Sequence, residues 1–305
     1  MIKAAQLFQS IALQLVLTFF VQASLAQNAL VFQSDFGLKD GAVSAMKGVA
    51  YGVDNKLDIF DLTHEIPVFN IWEGAYRLSQ ATQYWPAGTV FVSVVDPGVG
   101  TNRKSVVLKT RSGHFFVTPD NGTLTLIAEK FGIEEVREID EKVNRLQYSE
   151  LSHTFHGRDV YAYTGARLAA GVIKFAEVGR SLPASVKSIP YQKAHISEGR
   201  IKGSIPILDI RYGNVWTNIG QQLFQQQSIN PGDTLCIDIF NKADKKYAAE
   251  MPYVRSFGEV EIGQPVVYIN SLLNAAVALN QVSFAATHGI EAGADWRIEL
   301  SKCTP

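Results

Sequence analysis

Two different patterns of hydrophobic and polar positions follow one another along the chain. From residue 28 to about residue 190, short apolar runs typical of strands alternate with amphipathic stretches at helical spacing. The run at 89–95 is rich in β-branched residues, which is typical of a strand buried on both faces. Because strands alternate with helices, this half is predicted to form a layered α/β sheet domain. The predicted strands are 29–33, 57–62, 89–95, 105–109 and 114–118, and the predicted helices are 42–51, 71–83, 124–131 and 159–170.

After about residue 193 the apolar runs become shorter and turn sequences separate them. Strand-like runs lie at 203–210, 234–240, 266–269 and 296–300, with turns such as Tyr212-Gly213-Asn214 between them. Short strands joined by close turns predict a small β-barrel or sandwich. We place the boundary within 183–199, which gives an N-terminal α/β domain at 27–192 and a smaller C-terminal β-barrel domain at 193–305.

The first 26 residues have the order of charged, apolar and small residues that an export signal has. Lys3 is followed by an apolar run at 11–21, and small residues occupy the −3 and −1 positions of a cleavage after Ala26. The alternative is an uncleaved anchor, but the apolar run is short of the ~20 residues that span a bilayer. We therefore expect a cleaved signal peptide and an exported protein, periplasmic or secreted, with no membrane attachment after cleavage.

Charge and cysteine content exclude several classes of protein. The chain has 28 basic and 29 acidic residues and a net charge of −1, which is not the basic excess that nucleic-acid binding demands. Its two cysteines, Cys236 and Cys303, are too few for a disulfide scaffold or a four-thiolate zinc site. They form one bridge or remain free thiols.

Some short motifs look like known sites but fail their structural context. Asp35-Phe36-Gly37 spells a kinase-like triplet, yet only one strand precedes it, whereas a kinase places its glycine loop and lysine strand first. Gly98-Val99-Gly100 lacks the third glycine and is followed by a strand, so the dinucleotide-binding interpretation fails. His153 and His156, with His64 and Glu65, are possible metal ligands. Since no predicted helix holds them on one face, no metal site is predicted.

Four polar segments at strand ends or a helix start carry the candidate chemistry. They are 34–40, with Asp35 and Asp40; 96–103, with Asp96 and Arg103; 119–122; and 154–159, with His156. In α/β sheets, ligands bind beyond the carboxyl ends of the strands, so these segments are expected to share a site.

Each segment also has a purely structural interpretation. Asp40 is favourable at a helix N-terminus, and Asp96 with Arg103 is consistent with a loop salt bridge. The 119–122 segment is a tight turn, and His156 is consistent with a satisfied residue at a helix start. The coincidence of all four in one α/β half favours a site.

Taken together, these segments resemble the S-adenosyl-L-methionine hydroxide adenosyltransferases, which are related to fluorinase and chlorinase. The resemblance runs from about residue 30 to near the C-terminus. The matching segments are 34–40, 61–67, 94–103, 119–122, 154–159, 209–214 and 217–218.

The resemblance implies an N-terminal α/β domain, a C-terminal β-barrel, and a homotrimer whose ligand lies between the N-terminal domain of one subunit and the C-terminal domain of its neighbour. It implies hydrolysis of S-adenosyl-L-methionine to adenosine and L-methionine, without a metal or cofactor. The implied catalytic residues are Asp96, Arg103 and His156. The implied substrate contacts are Asp35 with ribose; Asp40, Asp209 and Ser271 with the methionine part; Asn214, Gln281 and Val282 with adenine; and Phe69 stacked over the ligand.

The chemistry of the substrate is consistent with these residues. A sulfonium leaves as a neutral thioether, so no general acid is required, whereas water is a poor nucleophile that positioned acceptors must polarise. Asp96 and His156 are acceptors, and Arg103 keeps Asp96 ionised.

Two alternatives to hydrolysis, and one departure from the family pattern, also follow from the sequence. A carboxylate at Asp96 would repel a halide, which disfavours the halogenase activity of some family members. The stretch 271–276 departs from the Ser-x-Gly-Tyr-Leu-Glu pattern of the family, which bears on the methionine end of the site. The other alternative is an exported adenosine- or nucleoside-binding protein without turnover.

Overall fold

The computed structural model describes residues 28–303, so the predicted signal peptide lies outside the described residues. Backbone contacts divide the chain into two compact units. The first comprises residues up to Asn70 together with Gln83–Val186, and the second comprises Ile71–Thr82 together with the residues from Lys187 onwards. Within the described residues, no helix is long and apolar enough to cross a membrane.

The first unit is built on a seven-stranded mixed sheet, as the α/β prediction required. The strands are β1 Leu30–Ser34, β2 Ile59–Thr63, β3 Val90–Val94, β4 Ser105–Thr110, β5 Phe115–Pro119, β6 Ile133–Glu138 and β7 Ser181–Leu182. Their order in the sheet is β2-β1-β3-β5-β4-β6-β7, and β1, β2, β3 and β5 are parallel to one another. Strands β4, β6 and β7 run antiparallel to their neighbours.

Helices cover this sheet because its central strands are apolar on both faces. Strands β1 and β3 are buried at every position. The helices of the unit are α1 Ala42–Val53, α3 Thr125–Phe131, a π-helix at Gly157–Ala162 that continues as α4 Tyr163–Ala169, and a 3₁₀ turn at Phe175–Glu177. Gly165 allows α4 to approach β3, since a Cβ there would lie 2.4 Å from Val92 Cγ2.

The predicted helix at 159–170 therefore starts earlier than expected and begins with a different geometry. A π-helix closes i→i+5 hydrogen bonds, and such turns are frequent at functional sites. Strand β6 was not predicted, because its sequence Ile-Glu-Glu-Val-Arg-Glu is mostly charged.

The second unit contains two antiparallel sheets around one apolar core. The strands are β8 His195–Ser197, β9 Arg200–Ser204, β10 Ile207–Leu208, β11 Val215–Gly220, β12 Thr234–Asn241, β13 Asp244–Pro252, β14 Pro265–Ile269, β15 Asn274–Leu279 and β16 Trp296–Lys302. The four-stranded sheet has the order β10-β11-β15-β14, and the five-stranded sheet has the order β13-β12-β16-β9-β8. The helices of this unit are α2 Ile71–Thr82, α5 Gln221–Gln226 and α6 Phe284–His288, with a 3₁₀ turn at Phe257–Glu259.

The β prediction for this half is confirmed at the level of a small antiparallel β structure. Closure into a barrel stays a prediction, because the described strands form two sheets joined by an isolated bridge between Tyr253 and Val267. The predicted strand at 203–210 is wrong as a single element. It is divided between β9 and β10, which belong to different sheets, and Pro206 lies between them and lacks the N–H that a continuous strand would donate.

A disulfide joins Cys236 on β12 to Cys303, directly after β16. This resolves the two alternatives for the cysteines in favour of one bridge. The bond connects residues 67 positions apart and attaches the end of the last strand to its sheet neighbour.

Candidate active site

Polar loops of the first unit meet at one edge of its sheet. Strands β1, β2, β3 and β5 are parallel, so their carboxyl ends lie on the same side and the residues that follow them share one edge. Strand β4 is antiparallel, and its first residue Ser105 pairs with Pro119, the last residue of β5. Arg103 therefore lies at this edge as well, although it precedes its strand instead of following it.

The loop between β3 and β4 holds Asp96 and Arg103 in a two-pronged ion pair. Arg103 Nε donates to Asp96 Oδ1 at 2.8 Å, and Arg103 Nη2 donates to Asp96 Oδ2 at 2.6 Å. Their side chains are only 7% and 5% exposed. The paired geometry is the strong form of an arginine–carboxylate contact, and it fixes the direction of both side chains.

His156 joins this pair from the start of the π-helix. Arg103 Nη2 lies 2.9 Å from His156 Nδ1. The close approach depends on Gly157, where a Cβ would lie 3.1 Å from Val94 Cγ1 and 3.2 Å from the Phe36 ring. The structure thus brings together all three residues predicted to be catalytic.

Two further residues, which the sequence analysis missed, complete a ring around the ion pair. Arg103 Nη1 donates to Ser105 Oγ at 3.1 Å, and Ser105 Oγ lies 3.2 Å from Tyr161 Oη. Tyr161 Oη in turn lies 3.4 Å from Asp96 Oδ2. A consistent assignment has each hydroxyl donate to the next acceptor, from Arg103 through Ser105 and Tyr161 to Asp96.

The ionisation of these groups follows from their surroundings. Burial acts to lower the pKa of Arg103, but the hydrogen bond to Asp96 outweighs it and the pKa is raised. Burial, together with the positive charge of Arg103, lowers the pKa of His156. Burial also raises the pKa of Tyr161, so its hydroxyl stays protonated and available as a donor.

A cavity of about 240 Å³ opens beside the trio. Asp35 and Phe69, both predicted to bind substrate, line it together with Asp96 and His156. Phe69 N donates to Asp35 Oδ2 at 2.9 Å, and Phe69 adopts a left-handed backbone with φ 66° that allows this contact. The Phe69 ring is 67% exposed. The remaining lining residues are Phe36, Val68, Val94, Val99, Thr154, Phe155 and Gly157.

A second imidazole, His64, fixes the turn that carries Asp35. Ser34 Oγ lies 2.7 Å from His64 Nδ1, and His64 Nε2 lies 3.0 Å from Asp61 Oδ1. The His64 carbonyl also accepts from Gly37 N at 2.7 Å. Burial acts to raise the pKa of Asp61, but hydrogen bonds from Lys47 and His64 outweigh it and the pKa is lowered. Both ring nitrogens of His64 thus have partners, Ser34 on one side and Asp61 on the other, and these contacts fix the turn.

The remaining predicted contacts are Asp40 in the first unit and five residues of the second unit. Asp40 is exposed and its Oδ1 atom accepts from Ala42 N, the first residue of α1, at 2.8 Å. This contact agrees with the structural interpretation of Asp40 as a carboxylate near a helix N-terminus. In the second unit, Asp209 closes the turn 209–214 through Gly213 N and Asn214 O, and Asn214 is buried. Ser271 is exposed in the turn between β14 and β15, while Gln281 and Val282 are exposed after β15.

Among the described residues, one group of three residues of the types that bind metals has its ligand atoms within 4.8 Å of one another, namely Cys236, Glu250 and Cys303. Its two sulfur atoms are bonded to each other in the disulfide. The cluster at the sheet edge instead offers a carboxylate, a guanidinium and an imidazole, which can bind and orient a small polar molecule in the cavity.

The sequence matches two family models. Residues 30–179 match the SAM hydroxide adenosyltransferase N-terminal domain, and residues 203–297 match the C-terminal domain of the same family. An (R)-S-adenosyl-L-methionine hydrolase of Methanocaldococcus jannaschii is 37% identical over 246 residues, which is 79% of this chain and 84% of the relative.

A fluorinase of Actinopolyspora mzabensis is 27% identical over 91% of this chain and 99% of its own length. Among solved structures, an uncharacterized conserved protein from Thermotoga maritima matches with a TM-score of 0.83 at 32% identity. That match covers 90% of this chain and all of the other.

Proposed function

Because the chain belongs to the SAM hydroxide adenosyltransferase family, we propose that it hydrolyses S-adenosyl-L-methionine to adenosine and L-methionine. The observation that carries the proposal is the convergence of Asp96, Arg103 and His156 beside a cavity that Asp35 and Phe69 also line. Asp35 is suited to the ribose hydroxyls, and the exposed Phe69 ring to the face of the ligand.

The proposed reaction is an in-line displacement by water. The water oxygen bonds to C5′ of the ribose, and the C5′–S bond breaks with its electron pair remaining on sulfur. Methionine leaves as a neutral thioether, so the site must activate and aim the nucleophile and need not protonate the leaving group. One proton of the water passes to Asp96 or His156. Nearby carboxylates and the aromatic face of Phe69 stabilise the sulfonium before it reacts.

Chromatography of reaction mixtures tests the proposal. The protein without residues 1–26, incubated with the substrate, is expected to produce adenosine and methionine in equal amounts. The archaeal relative is named for the (R) form, so the (R) and (S) forms are supplied separately. Asp96→Asn keeps the shape of the side chain and is expected to lose turnover. Tight adenosine binding with intact substrate, measured by calorimetry, would support the nucleoside-binding alternative.

Because some relatives are named fluorinase, the same assay is also run with added chloride or fluoride. A buried carboxylate at Asp96 disfavours an anionic nucleophile in the same position, since like charges repel most strongly where water is excluded. We therefore expect the same product and rate with or without added chloride or fluoride. A 5′-halogenated nucleoside would contradict this expectation.

We propose further that the active form is a homotrimer in which the second unit of one subunit completes the substrate site of a neighbour. Exposed apolar side chains at or beside the predicted contacts of that unit support this, namely Ile210, Tyr212, Leu273 and Val282. Light scattering tests the assembly. Mixed refolding of inactive Asp96→Asn with inactive Asp209→Asn chains tests the shared site, because mixed trimers should regain activity and unmixed ones should not.

Export is also a proposal, supported by the pattern of residues 1–26 and by the disulfide. Disulfides persist in oxidising compartments and are rare in the cytosol. Periplasmic or secreted protein should start at Gln27 and resist thiol alkylation until it is reduced. Replacing both Cys236 and Cys303 by serine should lower the free energy of unfolding by about 2–4 kcal/mol. A full-length chain with free thiols would contradict export.

A further inference from the structure

The contact between Arg103 and His156 determines which nitrogen of the imidazole carries the proton. A guanidinium nitrogen has hydrogens to donate and no acceptor capacity. Because Arg103 Nη2 lies 2.9 Å from His156 Nδ1, the Nδ1 atom must be the acceptor. In the neutral ring the proton is then on Nε2.

From this we propose, on the basis of the function proposed above, that His156 donates a hydrogen bond to the attacking water and that Asp96 accepts the proton of that water. The trio is thereby divided into separate tasks. Arg103 fixes the imidazole tautomer and the direction of the carboxylate, His156 holds the oxygen of the nucleophile, and Asp96 takes its hydrogen.

The state of His156 Nε2 supports the donor role. This atom is buried and has no hydrogen-bond partner among the described residues, and His156 is one of the residues that line the cavity. A buried N–H without an acceptor is unfavourable, so it favours an oxygen placed in the cavity. A water held there by its oxygen keeps both hydrogens free for acceptors.

Asp96 retains the capacity to accept one of those hydrogens. Its Oδ2 atom receives Arg103 Nη2 at 2.6 Å and the Tyr161 hydroxyl at 3.4 Å, while the single N–H of Arg103 Nε, 3.0 Å from Oδ2, lies closer to Oδ1. Among the described residues, Oδ1 receives Arg103 Nε alone, at 2.8 Å. A carboxylate oxygen accepts two hydrogen bonds, so Oδ1 has a lone pair available for the water.

With this assignment, every bond, proton and electron pair of the step is accounted for. The water oxygen forms its bond to C5′ as one water hydrogen moves to Asp96 Oδ1, and sulfur keeps the electron pair of the broken bond. Asp96 then releases the proton to solvent, while His156 stays neutral throughout. A second proton on His156 would have to sit on Nδ1, facing the Arg103 guanidinium.

The charged groups around the ring also favour its neutral form. Burial lowers the pKa of His156, and Arg103 and Arg145 lower it further, while Glu141 and Asp96 act in the opposite direction with a smaller net effect. The geometry of the Arg103 contact gives the same answer independently of these shifts.

Nitrogen NMR of protein labelled with ¹⁵N-histidine tests the tautomer directly. The His156 signals are identified by their loss in His156→Gln. We expect a pyrrole-type Nε2 that carries a proton and a pyridine-type Nδ1 at neutral pH. A pyridine-type Nε2 or a charged ring would overturn the proposal. This readout needs no turnover, so it remains decisive even if the wild-type protein produces no adenosine.

Three substitutions test the role in catalysis. His156→Gln places an amide N–H where Nε2 lies but provides no base, whereas His156→Asn keeps a group for Arg103 and cannot reach the Nε2 position. His156→Leu removes both functions. We expect kcat of the Gln variant within about tenfold of wild type, and losses of about 10²–10³-fold in the Asn and Leu variants.

Equal losses in all three variants would show that the basicity of the imidazole is what matters, and would refute the donor role. Thermal unfolding of each variant serves as the control for folding. A Gln variant that unfolds at the wild-type temperature but has the activity of the Leu variant counts against the proposal.

Discussion

Two buried histidines lie at the same edge of the same sheet, and the structure uses them differently. His64 has a partner on each ring nitrogen, Ser34 on one side and Asp61 on the other. His156 lines the cavity and has Arg103 on one nitrogen, while its other nitrogen is buried without a partner among the described residues. Satisfied polar groups rigidify a structure, whereas an unsatisfied one is available for a ligand.

Residue type alone therefore does not identify a reactive histidine. The informative quantity is the number of partners that each nitrogen has within the fold. His64 holds the turn that carries Asp35, so we expect it to act on substrate binding. His156 touches the cavity, so we expect it to act on the chemical step.

The largest effect is expected from removing the arginine that connects the trio. Arg103→Met leaves a buried carboxylate unpaired, which should cost about 3–5 kcal/mol of unfolding free energy. Because Asp96 and His156 also lose their orientation, kcat/KM for adenosine formation should fall by about a thousandfold. Urea unfolding and the chromatographic assay measure the two effects.

Arg158→Met is the matched control for this variant. It also takes an arginine from a buried carboxylate, because Arg158 Nε lies 2.6 Å from Asp159 Oδ1 and Asp159 is fully buried. A similar loss of stability is expected with a much smaller loss of kcat/KM, since within the described residues the Arg158 side chain reaches the cavity lining only through the Phe155 ring, whose centroid lies 4.9 Å from its Cζ atom. An equal loss of activity in both variants would mean that destabilisation alone explains the first result.

His64→Leu should separate binding from chemistry. The variant leaves the buried Ser34 hydroxyl without its partner, at a cost of about 1–3 kcal/mol. Since the Asp35 turn is then free to shift, KM should rise by about tenfold with a smaller change in kcat.

His114→Leu provides the comparison for this experiment. His114 is equally buried and bonded on both nitrogens, to Ser112 and to the Trp85 carbonyl, but it precedes β5 at the opposite edge of the sheet. Stability should fall by a similar amount while KM stays constant. A rise in KM in this variant as well would refute the positioning role of His64.

Tyr161→Phe should have a smaller effect, since it removes one hydroxyl from the ring around the ion pair. The long 3.4 Å contact to Asp96 predicts a stability loss of about 1 kcal/mol and a decrease in kcat of up to about tenfold. Tyr76→Phe is the control, because the buried Tyr76 hydroxyl has no partner in the described part of the chain. Equal effects of the two variants on stability and kcat would show that the Tyr161 hydroxyl does not support the Asp96–Arg103 ion pair.

The smallest effect concerns pH. Burial lowers the pKa of His156 below the value of about 6.5 that it has when unfolded, so in this range the unfolded chain binds more protons than the folded one. The stability contributed by the neutral ring is present above about pH 6.5 and is lost as the pH falls.

Between about pH 7.5 and about pH 5.5, wild type should therefore lose more unfolding free energy than His156→Gln. Urea titrations of both proteins at the two pH values measure the difference. A larger loss in the Gln variant would contradict a lowered pKa.

The sequence was sufficient to predict the strands of the α/β half and their polar ends, because β1 and β3 are mostly apolar runs and Asp35 and Asp96 follow closely after them. The position of Arg103 at the same edge depends on β4 running antiparallel, which the residues do not specify. Tyr161 was missed for a geometric reason. In an α-helix it would lie about 140° around the axis from His156, whereas the i→i+5 geometry of a π-helix brings the two to one side.

Helix α2 has a consequence for experiments that divide this chain. It lies within the N-terminal stretch of the sequence, yet its backbone groups with the second unit, where Trp72 Nε1 donates to the Pro206 carbonyl and Arg77 Nη2 to the Leu208 carbonyl. A fragment that begins at Lys187 would lack this helix and expose the surface that it covers. Truncations and chimaeras designed at a single cut point would therefore separate this helix from its partners, whereas fragments that carry residues 71–82 along with the C-terminal part keep these contacts.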